Sequence, residues 1–374
     1  MFAAWMNVYE FPSSDSLYFH EDGVKEFHLL FSNPKEYCLN LFQNNHPNGF
    51  NGFFDTSDSF WNDLRSNIIS KVLSVFDIFS NCNYYINTVF FNFFIFFGSV
   101  AFYKIFISIF PDKKNLVLIS VFLLPSVLFF SSMIHRDGLI FLALSIVCYN
   151  LFLILKTEGV SIRRLLFIFL GLVFIFLLRN FVFLTLLPGL AAWVIAEKRK
   201  RFAFQSFVLM YILCGVLFFT LPFISARFNF PEHVSSRQIE FIQLSKSSAS
   251  AININPLFPN FRSFFNNAPQ ALNHSLMRPY ITENYKLMYV PSSIEIFIYE
   301  LLFLLFLFFK TPNRKIDPFV YFSLFFFLTI NLQIGYTIPI IGALVRYRSI
   351  YFLFALTPML CYINWQKVRE VLKY

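Results

Sequence analysis

Apolar runs of roughly twenty residues recur along this chain and are separated by shorter polar stretches. A helix of that length crosses the hydrocarbon core of a bilayer, and it can be apolar on every face because lipid surrounds it. The runs predict about nine membrane helices, at about 84–110, 115–133, 138–155, 165–178, 181–196, 206–224, 293–310, 319–341 and 349–364. The fourth and fifth are short, and we expect a hairpin, spanning or re-entrant, with Arg179 and Asn180 at its tip. The predicted fold is an all-α, polytopic transmembrane helix bundle.

Short basic segments fix the predicted orientation of these helices. Lysine and arginine collect at residues 113–114, 156–164, 197–201, 310–315 and 367–373. Cytoplasmic loops are enriched in these residues, and the five segments alternate with the spans so that all can face the cytoplasm together. The sequence therefore predicts a cytoplasmic C-terminus. It places residues 1–83, 135–137, 179–180, 225–292 and 345–349 on the outer side.

Four parts follow from this pattern. They are an outer N-terminal segment (1–83), a first group of membrane helices (84–224), a long outer loop (225–292), and further membrane helices with a basic tail (293–374). In the loop, the apolar spacing of NAPQALNHSLMRPYITE predicts a short amphipathic helix on the outer surface that ends at Arg278. The start, MFAAWMNVYEFPSSD, has no basic n-region, and its apolar stretch is too short for a signal peptide or a span, so it could be the tail of a truncated first span.

Composition narrows the class of protein. Hydrophobic residues make up 57% of the chain and charged residues only 14%, whereas a soluble domain carries about one quarter charged residues. The net charge of +9 is explained by cytoplasmic loops, so we expect no nucleic-acid partner. Of the five cysteines, Cys38 and Cys82 share a polar segment and could pair in an oxidising compartment, and no zinc-binding spacing occurs.

Charge on the predicted outer side is unusual because it is rich in arginine at helix ends. The candidate residues are His135, Arg136, Arg179, Arg278, Arg346 and Arg348. A guanidinium group offers a fork of donors that matches phosphate oxygens, so we predict that these residues bind an anionic, lipid-linked ligand. Simpler interpretations stay open: a capped turn at HRDG, an arginine that snorkels to the interface, and a plain surface helix.

Acidic residues in the predicted outer N-terminal segment supply candidate general bases. They form two clusters, Asp15, Glu21 and Asp22 in SSDSLYFHEDG, and Asp55, Asp58, Asp63 and Arg65 in FFDTSDSFWNDLRSN. Sugar transfer needs a carboxylate that removes the acceptor proton near cations that hold a phosphorylated leaving group. The second cluster is less specific, and a solvated acidic surface is the alternative for both.

The segments LLPSVLFFSSMIHRDG, LRNFVFLTLLPGL, NAPQALNHSLMRPYITE and GALVRYRSIYFLF occur in this order along the chain. The arrangement resembles bacterial polytopic membrane proteins grouped with the GT-C-fold glycosyltransferases and surface-polysaccharide polymerases. The resemblance covers most of the chain, from about residue 10 to residue 364. It implies a bacterial inner-membrane location, a polyprenyl-phosphate-linked sugar donor used at the outer face, and polysaccharide-assembly proteins as partners.

The resemblance also implies roles for residues. Enzymes of this fold carry a catalytic Asp or Glu in the first outer loop, and the matching position is Asp15, with Glu21 and Asp22 as neighbours. The donor phosphate would be held by Arg346 and Arg348, with Arg136 or Arg278. Many members use a divalent metal and others do not, and no spacing in this sequence decides between them.

Two other functions stay open. A carrier or flippase for a lipid-linked oligosaccharide would need polar groups inside its helices, and Glu295, Glu300, Asn331 and Gln333 are the candidates. Both glutamates fall in the predicted outer half of their helix, which favours a site at one face over a path through the membrane. A non-catalytic membrane subunit, whose arginines bind lipid headgroups, is the third possibility.

Overall fold

The computed structural model of the chain describes residues 2–10, 14–43, 60–156, 159–283, 289–311 and 315–372. Over these ranges the secondary structure is helical, with two isolated β-bridges and no strand. The α-helices are α1 (Phe2–Tyr9), α2 (Asp15–Ser32), α3 (Pro34–Leu39), α4 (Phe60–Ser80), α5 (Tyr84–Ile109), α6 (Lys114–Phe122), α7 (Pro125–Ser131), α8 (Arg136–Lys156), α9 (Ile162–Leu178), α10 (Asn180–Lys198), α11 (Ala203–Ile224), α12 (Phe230–Ser245), α13 (Phe261–Met277), α14 (Val290–Phe308), α15 (Pro318–Thr337), α16 (Ile341–Tyr362) and α17 (Trp365–Leu372).

Six of the described helices are long and apolar enough to cross a membrane. They are α5, α8, α10, α11 with the turn before it, α14 and α15. The pair α6–α7 would be a seventh span, bent by 47° at its break. These helices support a multi-pass membrane protein. Helices α9 and α16 also lie where spans were predicted but do not meet the same criterion, so the count of nine and the orientation stay predictions.

The single helix predicted at 115–133 is wrong in detail, because the structure divides it into α6 and α7. Leu123 and Leu124 leave the helical path between them. Pro125 explains the break, since proline has no N–H to donate and its ring disfavours a helical conformation at the residue before it. Proline then opens α7, a position where its missing N–H costs little.

The described chain packs as two compact units that interleave along the sequence. Unit 1 comprises Met1–Ile105 and Val127–Phe183, and unit 2 comprises Phe106–Ser126 and Leu184–Tyr374. Each unit contains both apolar helices and segments predicted to lie outside the membrane.

In unit 1, the N-terminal helix α2 packs along α4 at very short range. A Cβ atom added at Gly23 would lie 2.7 Å from the Cβ of Leu73, so only glycine permits this approach. The turn from α4 to α5 is also tight, because Asn81 and Cys82 both have positive φ angles, 51° and 59°. This conformation is unfavourable for residues other than glycine and is sparsely populated. The turn brings the start of α5 back against α2.

In unit 2, α15 and α16 form an aromatic core. The rings of Phe322, Phe326 and Phe354 pack with centroid separations of 5.3–6.1 Å. Helix α13 crosses α15 with its backbone against Gly335, opposite Ala271. By contrast, only 6% of the membrane-length window of α11 is buried, so this helix packs through one side only, where Phe207 stacks on Phe325 and Phe219 meets Phe264.

Helix α13 confirms the amphipathic helix predicted in the long loop. Its buried residues are Phe264, Ala271, His274 and Ser275, and its C-cap is Arg278, the predicted end. The buried side faces α15, and Tyr336 on α15 donates a hydrogen bond to the carbonyl oxygen of Phe264 at 2.6 Å. The helix begins earlier than expected because Asn260 caps it, accepting from the Ser263 N–H.

Candidate functional site

The predicted site residues divide between the two units. Unit 1 contains Asp15, Glu21, Asp22, His135, Arg136 and Arg179, and unit 2 contains Arg278, Arg346 and Arg348.

Helix α2 carries the predicted catalytic carboxylates on different faces. Asp15 opens the helix, and Asp22 lies seven residues later, so the two share a face with Phe19 between them. Asp22 is half-buried and accepts a hydrogen bond from Lys25 at 2.8 Å. Glu21 is exposed and points away from this face. Asp22 is therefore the more enclosed of the three carboxylates.

Arg136 links α8 to this face of α2. Its guanidinium group lies over the ring of Phe19, 5.3 Å from the centroid. Its Nη2 donates a hydrogen bond to Ser66 Oγ on α4 at 2.9 Å. Arg136 as a whole is half-buried. A predicted phosphate ligand and a predicted carboxylate therefore flank the same phenylalanine.

Carboxylates of both acidic clusters of the sequence act on Tyr18. The carboxylates of Asp22 and, more weakly, Asp63 raise the pKa of Tyr18, together with the partial burial of its hydroxyl. Asp63 lies three residues before Ser66 and shares its face of α4. We call this set the unit 1 polar cluster: Tyr18, Asp22, Asp63, Ser66 and Arg136. Asp55 and Asp58 lie outside the described residues.

Arg179 is paired within the protein. Its Nη2 lies 2.8 Å from Asp137 Oδ1, and both side chains are almost fully buried. The pair joins the end of α9 to the start of α8. His135, two residues before Asp137 in the sequence, is also buried. Burying two charges is tolerable only when they compensate each other in this way. Arg136 is thus the more accessible predicted phosphate ligand of unit 1.

A buried network that the sequence did not indicate holds α2 against the start of α5. Asp77 on α4 is fully buried, and its Oδ1 accepts from Asn87 Nδ2 at 2.6 Å and from Ser80 Oγ at 3.3 Å. The same Asn87 amide lies 3.3 Å from His20 Nδ1. Burial lowers the pKa of His20, although Asp77 and Glu21 oppose this effect. The one sequence feature that could have indicated this network is Asp77 itself, a lone aspartate within the apolar stretch VLSVFDIFS.

In unit 2, Arg348 is almost fully buried between α13, α14 and α16. Its Nη1 donates to the carbonyl oxygen of Ser275 at 2.6 Å, and it interacts electrostatically with Glu295. Glu295 Oε1 accepts from the N–H of Ser126 at 3.1 Å and from the hydroxyl of Tyr299. These groups line a cavity with room for about one water molecule, which is too small for a phosphate group.

Arg278 and Arg346 are the more open arginines of unit 2, since both are half-buried. Arg278 Nε lies 3.4 Å from Glu283 Oε1, and its guanidinium lies over the ring of Tyr280. The guanidinium of Arg346 lies over the ring of Tyr347. Burial and then Arg278 lower the pKa of His274 to about 4, so this histidine is neutral at pH 7.

Among the described residues, no group of three or more His, Cys, Asp or Glu side chains is arranged to hold a metal ion. Of the polar residues that a carrier would need inside its helices, Asn331 is fully buried and donates to the carbonyl oxygen of Phe327 at 2.8 Å.

No protein-family model, curated protein or solved structure matches the chain.

Proposed function

We propose that this protein is a membrane glycosyltransferase that takes a sugar from a polyprenyl-phosphate-linked donor at one face of the membrane. The observation that supports this function is the unit 1 polar cluster, in which Asp22 and Asp63 both act on Tyr18, and half-buried Arg136 contacts Phe19 and Ser66 on the same two helices. Sugar transfer needs these two kinds of group together. The proposal also rests on the resemblance to GT-C-fold enzymes.

In the proposed reaction, Arg136 contacts the donor phosphate. Asp22 or Asp63 accepts the proton of the acceptor hydroxyl while its oxygen bonds to the anomeric carbon. The bond from that carbon to the phosphate oxygen breaks, and the polyprenyl phosphate leaves with the electron pair. The guanidinium group offsets the charge that develops on the phosphate. The resemblance puts the base at Asp15, whereas the burial and neighbours of Asp22 favour Asp22 or Asp63.

The proposed setting is the bacterial inner membrane, with the N-terminal segment outside and the C-terminus in the cytoplasm. The product would enter surface-polysaccharide or glycoconjugate assembly, with the proteins of that assembly as partners. Labelling of single cysteines at exposed positions of α2 and α17 with a membrane-impermeant reagent tests the orientation. Labelling of both segments from the same side would contradict it.

Transfer of a radiolabelled hexose from polyprenyl phosphate to membrane acceptors tests the function. We expect Asp22→Asn or Asp63→Asn to lower the rate by about 10²–10⁴-fold, the usual contribution of a general base. Asp15→Asn shows whether the position implied by the resemblance carries the base instead. Glu36→Gln, an exposed carboxylate on α3, is the matched control and should leave the rate unchanged.

Arg136→Lys separates a phosphate ligand from a general cation. Lysine keeps the charge but loses the planar fork of donors, so we expect a loss of at least about tenfold at subsaturating donor. If the chain transfers no polyprenyl-linked hexose, or transfers it equally well in all three aspartate variants, the proposal is wrong.

A carrier for lipid-linked oligosaccharide is the second candidate, and one observation favours it. Glu295 and Arg348 are charged residues inside apolar helices, and Glu295 binds the N–H of Ser126 at the break between α6 and α7. Discontinuous helices with internal charges are typical of membrane transporters. Translocation of a fluorescent lipid-linked oligosaccharide in proteoliposomes, lost in Glu295→Gln, would support the carrier over the enzyme.

A further inference from the structure

Helix α1 presents an aromatic face that the rest of unit 1 leaves uncovered. Phe2, Trp5 and Tyr9 follow one another at helical spacing and are 68%, 45% and 65% exposed. The ring of Trp5 lies between the other two, with centroid distances of 6.4 Å to Phe2 and 5.3 Å to Tyr9. We call these three rings the α1 aromatic strip.

The opposite face of α1 is fixed to the start of a candidate membrane span. Ala3, Ala4 and Asn7 are buried, and Asn7 Nδ2 donates to the hydroxyl of Tyr84 at 3.0 Å. The same hydroxyl lies 2.8 Å from Ser16 Oγ on α2. Tyr84 is the first residue of α5, which is long and apolar enough to cross a membrane. Helix α1 therefore lies at the level where that span begins.

The strip is continuous with other apolar surface of the unit. The ring of Phe2 lies 6.4 Å from that of Phe129 on α7, and the neighbouring Leu128 is 49% exposed. Helix α7 belongs to the bent pair that is apolar enough to span. Helix α1 itself contains no charged residue. Lipid that covers α7 would thus also reach the ring of Phe2, the first ring of the strip.

We propose that α1 lies in the membrane interface with its aromatic strip facing the bilayer at the level of the lipid headgroups. Tryptophan and tyrosine concentrate at this depth because their rings are apolar while their polar edges stay near water. In this position α1 would hold the acidic face of α2 at the depth where the phosphate of a lipid-linked substrate lies. That last step rests on the proposed function, whereas the position of α1 does not.

Quenching of Trp5 fluorescence in lipid nanodiscs tests this position. Trp5→Phe keeps an aromatic ring, so the difference between the wild-type and variant spectra isolates the emission of Trp5. The quenchers are phosphatidylcholine brominated near the glycerol, phosphatidylcholine brominated near the chain ends, and iodide in the buffer. We expect the shallow bromines to lower Trp5 emission at least about twofold and the other two quenchers to act less.

A second variant checks that the strip carries the effect. Phe2→Ser combined with Tyr9→Ser removes its two outer rings and keeps the reporter, so quenching should shift from shallow bromines towards iodide. Three results would overturn the inference in the wild type: strongest quenching by iodide, strongest quenching by deep bromines, or no response to any quencher. The last result would mean that protein, such as a second copy, covers the strip.

The same nanodiscs separate this inference from the proposed function. Sugar transfer without shallow quenching of Trp5 would reject the interfacial position and leave the enzyme intact. Shallow quenching without transfer would support the interfacial position and reject the enzyme.

Discussion

Gly335 on α15 is the position at which one added methyl group should do the most damage to unit 2. The backbone of α13 passes directly over it. A Cβ at residue 335 would lie 2.5 Å from the carbonyl carbon of Ala271 and 2.9 Å from its Cα. These atoms belong to the helix backbone and cannot rotate away. Gly335→Ala therefore forces the two helices apart.

The size of the effect follows from this geometry. Ordinary contact for a Cβ begins at 3.4 Å, so the carbonyl carbon of Ala271 would have to retreat by about 0.9 Å, and its carbonyl oxygen, which lies closer still, would have to move further. A gap of about that size removes a quarter to a half of the dispersion energy of the neighbouring contacts, and overpacking typically costs about 1–3 kcal/mol. Alanine regains roughly 1 kcal/mol through its better helix propensity. Because backbone atoms block relaxation, we expect a net loss of about 2 kcal/mol.

The matched control is Gly215→Ala on α11. No heavy atom lies within 4 Å of a Cβ at that position, so the substitution keeps the gain in helix propensity and meets no clash. Stability is measured as the apparent Tm of the purified protein in one detergent. We expect Gly335→Ala to lower Tm by about 5 °C and Gly215→Ala to leave it unchanged or raise it slightly.

The reasoning is refuted if Gly335→Ala melts at the wild-type temperature or above it. That result would mean that α13 does not cross α15 at this distance. The position of α13 would then have to be reconsidered, together with the bond from Arg348 to the Ser275 carbonyl.

Three further predictions concern charge and backbone strain. Arg348→Met should destabilise the protein by about 1–3 kcal/mol because it leaves the buried carbonyl oxygen of Ser275 without its donor and removes the cation that stabilises Glu295 at longer range. The double variant with Glu295→Gln should recover part of this loss in an unfolding cycle, and equal losses in both would show that the two residues are not coupled. The free energy of unfolding should fall by up to about 3 kcal/mol as the pH drops from 6.5 towards about 4, because the unfolded chain protonates His274 while the folded chain does not. His274→Asn should flatten this part of the pH profile. Cys82→Gly should raise the unfolding free energy by roughly 0.5–1 kcal/mol by relieving the positive φ of 59°, and a decrease would show that the thiol contributes more than the strain costs.

The sequence predicted the apolar helices well because a membrane helix carries its signal locally. Helix α8 was expected at 138–155 and spans Arg136–Lys156, and α14 was expected at 293–310 and spans Val290–Phe308. The prediction of helices is wrong where a single residue interrupts an apolar run. Pro125 divides one expected helix into two, although proline at that position was visible in the sequence.

The site was less predictable because its members come from distant segments. Asp22 and Asp63 belonged to separate acidic clusters, and nothing in either cluster indicates that α2 packs along α4. That packing depends on Gly23, whose missing side chain admits Leu73. The network of Asp77 and Asn87 is hidden for the same reason, since each residue reads as an isolated polar position in an apolar run.

The arginines show a different gap between sequence and structure. Their positions at helix ends suggested a ligand, and their internal partners could not be seen. Arg179 is paired with Asp137, and Arg348 lies beside Glu295, which the sequence had suggested only as a carrier residue. An unusual charge in a membrane protein can thus be answered either by a ligand or by a second buried charge, and the partner decides which applies.

The sparse packing of α11 has a consequence for how this protein can evolve. Its outward side chains touch few others, so exchanges among leucine, isoleucine, valine and phenylalanine at those positions should hardly change the stability of the protein as long as the segment stays hydrophobic. Substitutions in α15 and α16 face a filled interior and should be tolerated rarely. Among natural variants, α11 should therefore vary in residue identity while keeping its hydropathy, except where Phe207 packs against Phe325 and Phe219 against Phe264.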